Sequence, residues 1–144
     1  MSVSLSGMTT LHCYLSYRDA PAALDWLARA FGFETTMRFD DDHGGVMHAE
    51  ARLGDAAILL FSDDGAGYTR PEPRAEANGQ GIYLAVDTKA EVDAVWERAV
   101  AAGATAVLKP ESTDWGNYRC RVRDPEGYEW TFGIHRPGEP AGEW

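Results

Sequence analysis

One order of elements runs through this chain twice. A strand-length apolar run comes first, then an amphipathic helical stretch, then three more strand-length runs. In the first half the series is LHCYLSY, AALDWLARAF, GFETTMRF, VMHAEARL and AAILLF. In the second it is GIYLAVD, KAEVDAVWERAVAAG, GATAVLKP, NYRCRVR and YEWTF. A repeat of about 70 residues implies two similar supersecondary units. Neither unit need bury its sheet alone, so the fold class expected is α+β, built from two paired βαβββ modules. All 144 residues then form a single domain, with modules at 10–62 and 81–134. Residues 63–80 (DDGAGYTRPEPRAEANGQ) read as a surface connection and the alternative reading is a lid over a pocket. The tail, 135–144, is expected to be flexible, with Trp144 free to dock.

Within the helices, Leu24, Leu27, Ala28 and Phe31 make one stripe, and Gly32 stops the first. Val92, Val95, Trp96, Ala99 and Val100 make the other, which closes at Gly103. Asp19 and Asp87 stand where N-caps are useful, and Pro21 suits a first turn. Trp26 and Trp96 are assigned to the core.

The stretch RDPEGYEWTFG, 123–133, fixes a register. Asp-Pro-Glu-Gly suits a type I turn closed by Gly127 at positive φ. Asp124 then pairs with Tyr128, Val122 with Trp130, and Arg121 with Thr131. The two-residue period puts Cys120, Val122, Trp130 and Phe132 under the helices. Arg119, Arg121, Glu129 and Thr131 face the other way. The same parity sends Leu11, Cys13, Leu15, Ile82, Leu84, Val86, Ala49, Ala51 and Leu53 to the helix side. It leaves His12, Tyr14, Ser16, His48, Glu50, Arg52, Tyr83 and Ala85 on the opposite face. A curved sheet with that mixed face concave makes a pocket.

Several candidates follow. Tyr14, Tyr83 and Trp115 can stack on a planar ligand, while Trp115 could instead pack between two copies of the chain. Arg119 and Arg121 can clamp an anion or pair with Glu50 or Glu129 across the sheet. His12 reads as a hydrogen-bonded pocket residue, with general acid or base as the other reading. A net charge of −10 disfavours nucleic acid and anionic membranes as partners; it reads first as a solubility feature, with attraction of a cationic ligand as the alternative. No apolar run approaches membrane-span length. No leader pattern opens the chain, and Cys13 and Cys120 read as reduced thiols, so a cytoplasmic protein is expected. No phosphate loop, CxxC pair or Ser-His-Asp order is present.

With these residues in view, the chain resembles the vicinal oxygen chelate superfamily of glyoxalase I, extradiol dioxygenases and bleomycin-resistance proteins. LHCYLSYRDAPAALDWLARAFGFE is similar to that family's opening strand and helix. VMHAEARLGDAAILLF, GIYLAVD, AGATAVLKP and DPEGYEWTFG match its later landmarks in order. The likeness is nearest to the metal-free bleomycin-resistance-like and phosphonate-operon-associated branches. It implies an open eight-stranded barrel-like sheet with helices on the outer face, and commonly a homodimer. It also implies four metal-ligand positions, which fall here at His12, Leu59, Gly81 and Thr131. Only His12 of these has the donor found in the metal enzymes. A relocated site using His12, His48 and Glu50 is a further alternative.

The function expected is therefore metal-independent and cofactor-free. An aromatic or cationic small molecule would be sequestered in a concave pocket at a dimer interface. Its lining would be His12, Tyr14, His48, Glu50, Leu59, Phe61, Tyr83, Trp115, Arg119, Arg121 and Thr131. The alternative is a lyase, isomerase or dioxygenase-like enzyme with His12 as acid, base or sole retained metal ligand.

Overall fold

A computed structural model describes residues 5, 7–63, 67–68, 71–72 and 75–139. The first module contains β1 (Tyr14–Tyr17), α1 (Ala20–Phe31), β2 (Glu34–Asp40), β3 (Val46–Leu53) and β4 (Ala56–Ser62). The second contains β5 (Ile82–Ala85), α2 (Lys89–Ala101), β6 (Thr105–Ser112), β7 (Tyr118–Arg123) and β8 (Glu129–Gly133). The doubled βαβββ order is thus present. The eight strands divide into two four-stranded sheets, β1-β4-β3-β2 and β5-β8-β7-β6, which do not close into one barrel. In each, the first strand lies parallel to the last, and the other pairings are antiparallel.

The helix signals act largely as expected. Asp19 caps α1 by accepting from the Ala22 N–H, and Gly32 ends it at φ 91. The cap of α2 is Thr88, not Asp87: Thr88 and Glu91 form a reciprocal capping box. Asp87 instead pairs with Arg136. Two stripe residues are misplaced by the sequence reading, since Ala28 is exposed and Val100 is 43% exposed. Both lie near helix ends, where neighbours are fewer.

Strand parity holds across the second sheet, where Val122 pairs with Trp130 and Arg121 with Thr131. Cys120, Val122, Trp130 and Phe132 are all buried. The first sheet departs from it twice. Leu11 precedes β1 and is 94% exposed. On β3, the register slips between Phe39–His48 and Asp40–Val46, leaving Met47 as an extra residue. The bulge turns Val46 inward and Met47 outward.

The two modules are fastened by the DPEG turn. Tyr17 donates to Asp124 Oδ2 at 2.7 Å, and Tyr128 donates to the Ser16 carbonyl at 2.7 Å. The Glu126 carboxylate accepts the Arg18 and Asp19 N–H groups at 2.6 and 3.0 Å, at the mouth of α1. Between the helices, Trp26 Nε1 donates to the Ala102 carbonyl, and Arg98 donates to the Ala28 and Arg29 carbonyls at the end of α1. Phe31 packs on Trp130 and Phe132, so one core serves both modules.

Candidate functional site

The outward face of the first sheet is laid out by cross-strand rows. One row runs Tyr14, Leu59, Glu50, Met37, each directly opposite the next. A neighbouring row pairs Ser16 with Phe61. Tyr14 meets Phe61 edge-to-face at 5.5 Å between ring centroids, and Phe61 meets Tyr68 in the same way at 5.1 Å. These rings, with Ser16, Met47 and Tyr128, line an open groove of about 490 Å³. Met47 is 65% exposed, Tyr14 59% and Tyr68 57%. At its polar end, Tyr14 Oη lies 3.0 Å from His48 Nδ1, and His48 Nε2 lies 2.9 Å from Glu50 Oε2.

His12 stands apart from this groove. Its Nδ1 is 2.9 Å from the Ala57 carbonyl, which can only accept, and its Nε2 is 2.7 Å from Thr10 Oγ1. Both ring nitrogens are engaged locally.

The corresponding face of the second sheet is covered by the chain itself. Residues 75–80 cross it as a strap, so the connection is more than a passive linker. Arg121 donates through Nε to Thr131 Oγ1 at 2.8 Å and through Nη1 to the Glu76 carbonyl at 2.6 Å. Arg123 reaches the Ala75 carbonyl and pairs with buried Glu129 at 3.4 Å. The Asn78 N–H donates to Glu129, and its side-chain amide donates to the Gly127 carbonyl. Arg119 pairs with Glu111 at 3.5 Å. The expected partnership of Arg119 or Arg121 with Glu50 or Glu129 is therefore replaced: the register sets Arg123, not Arg121, opposite Glu129. Arg121 has its donors on Thr131 and the strap rather than directed toward an anion.

Tyr83 and Trp115 lie at the far end of that sheet. Tyr83 donates to the His135 carbonyl at 2.7 Å and accepts from buried Asn117. The Asn117 carbonyl oxygen accepts from Tyr118, Ile134 and His135 N–H groups. Trp115 sits edge-on to His135 at 5.3 Å and is partly exposed. These residues tie down the start of the tail and do not reach the aromatic groove. The expected single lining is thus split: His48, Glu50, Tyr14, Leu59 and Phe61 share one sheet, while Tyr83, Arg119, Arg121 and Thr131 share the other and Trp115 lies in its β6–β7 connection. Between the sheets, Cys13, Tyr14 and Leu15 face Gly81, Ile82 and Glu129 across a cleft of about 400 Å³, which Pro71 and Asn78 also line.

The four positions assigned to a metal by resemblance do not make a donor set. Leu59 has none, and Thr131 Oγ1 accepts from Arg121. A side chain at Gly81 would begin 3.2 Å from Glu129 Oε1. Among the described residues no three His, Cys, Asp or Glu side chains converge as ligands, the His12, His48 and Glu50 set included. The family's metal chemistry does not fit these residues. Neither cysteine is poised as a nucleophile, since burial pushes the Cys120 thiol up to about 12 and raises Cys13 as well.

Met47, Ser16, Tyr68 and Tyr128 were not foreseen as a group. Ser16 had a parity signal, whereas alternation groups Tyr128 with Trp130 and Phe132 on the helix side. Met47 was hidden by the bulge, and Tyr68 by its place in the connection.

A family model described as the Glyoxalase/Bleomycin resistance protein/Dioxygenase superfamily matches residues 9–132. An uncharacterised protein of Mycobacterium bovis is 30% identical over 121 residues, covering 83% of this chain and 79% of that protein. The crystal structure of TioX from Micromonospora sp. ML1 superposes with a TM-score of 0.65 at 30% identity, covering 89% of this chain and 99% of TioX. A lactoylglutathione lyase from Agrobacterium tumefaciens superposes at 0.62 with 27% identity, covering 88% and 92%.

Proposed function

Because the chain belongs to the glyoxalase/bleomycin resistance protein/dioxygenase superfamily, we propose that it binds a small molecule on the outward face of its first sheet, without a metal. The ligand is a planar aromatic compound, favoured further when cationic. One observation carries this reading: Tyr14, Phe61 and Tyr68 form a continuous edge-to-face series whose exposed surfaces line an open groove. Monomeric proteins seldom leave so many large apolar side chains together at the surface without a use for them. The net charge of −10 supports attraction of a cation over distance. Met47 in the groove and Met37 and Phe39 on β2 are exposed, and a second copy of the chain closing over them would complete the site as a homodimer. Catalysis by His12 has less support, because both its nitrogens already hold local partners.

Calorimetric titration with 9-aminoacridine, a planar aromatic cation, tests the reading. Saturable binding is expected, with Phe61→Ala weakening it about tenfold or more as stacking surface is lost. Trp115→Ala, at the other sheet, should leave it unchanged. Absence of saturation, or equal affinity in Phe61→Ala, would reject the groove.

A further inference from the structure

The polar end of the groove has a fixed hydrogen-bonding sense. Glu50 Oε2 lies 2.9 Å from His48 Nε2, and an ionised carboxylate can only accept, so Nε2 carries the ring proton. In a neutral imidazole the other nitrogen is then an acceptor. That nitrogen, Nδ1, is 3.0 Å from Tyr14 Oη, so the phenol must donate to it. Tyr14 has one proton and it is directed along the sheet. What the oxygen offers the groove is lone pairs, while the ring stays exposed beside Phe61.

We propose that Tyr14 is the specificity-determining acceptor of the site. The groove takes aromatic ligands that carry an O–H or N–H donor on the ring, in preference to the same ring carrying an acceptor alone. This deepens, and rests on, the reading of the groove as a ligand site. Glu50 is a positioning residue: it touches no ligand and acts by holding His48 in the tautomer that draws the Tyr14 proton away. His48 transmits that choice and is half-covered by its neighbours. The same orienting logic recurs wherever a carboxylate fixes an imidazole that serves another group.

The test compares 2-naphthol with 2-methoxynaphthalene, which share a ring system and differ in the donor. Both are titrated calorimetrically into the full chain at about pH 8, above the range where imidazoles ordinarily titrate. Wild type should favour 2-naphthol by about tenfold, the scale of one hydrogen bond. Tyr14→Phe should bring the ratio to about one, and a far-ultraviolet circular dichroism spectrum matching wild type shows that the variant is folded. Glu50→Ala, which removes the acceptor beside His48 Nε2, should shrink the ratio without contact to either ligand. Equal affinities in wild type, or a preference that survives Tyr14→Phe, would overturn the acceptor role and leave the groove standing. A preference untouched by Glu50→Ala would overturn the positioning role. If neither compound saturates, the groove reading itself is lost, and this inference with it.

Discussion

Asp124 gathers four donors on two buried oxygens: Tyr17 and Trp130 side chains on one, and the Glu126 and Tyr128 N–H groups on the other. Burial nonetheless outweighs them and pushes its carboxyl above the ordinary 3.8. The folded protein therefore keeps this proton to higher pH than the unfolded chain does. Its contribution to stability is fully present below that ordinary value and is lost as pH rises through the folded one. Asp124→Asn should lower the melting temperature at every pH, because an amide nitrogen would face donors. The gap to wild type should narrow as pH rises through the window above 3.8. Melting curves for both proteins across that range give the answer. A gap that widens would mean the four hydrogen bonds prevail over desolvation.

Among the elements, β8 passes closest to its surroundings at Gly133. A Cβ there would lie 2.5 Å from Tyr83 Oη and 2.8 and 2.9 Å from the Asn117 amide atoms. Gly133→Ala should cost about 1–3 kcal/mol, the usual range for overpacking. Adding Tyr83→Phe should recover part of it by removing the nearest atom. Chemical denaturation of the three proteins checks this, and no recovery would move the clash to Asn117. Much at this scale was legible beforehand. The DPEG turn gave the register of β7 and β8, and alternation gave the buried set of the second sheet. The Thr88–Glu91 capping box was written in the sequence but overlooked beside Asp87. The partners of Arg121 and Arg123 were not legible, because Glu76 and Ala75 receive them through backbone carbonyls that every residue possesses. His48 and Glu50 were legible as neighbours of period two, whereas their order of hydrogen bonding with Tyr14 needed the neighbouring strand in place.

At the scale of the whole molecule, the first helix serves both halves. Phe31 and Phe33 belong to the first module by sequence, yet both touch Trp130, and Phe31 also touches Phe132. With the DPEG turn fastened to β1 and α1, the modules have no separate cores to retain. Unfolding should be one transition, with near- and far-ultraviolet circular dichroism coinciding in urea. Phe31→Ala should lower stability by about 3–5 kcal/mol without splitting that transition. Two resolved transitions would assign each half its own stability.

The strap across the second sheet separates the fates of two otherwise matching halves. By stopping one basin with its own backbone, the molecule leaves the matching face around Tyr14 and Phe61 open to solvent. Under the function proposed above, substitutions around Tyr14 and Phe61 would alter what is captured while the plugged half goes on bracing the scaffold. Two halves of one architecture have in this way become unlike, one braced from within and the other left bare.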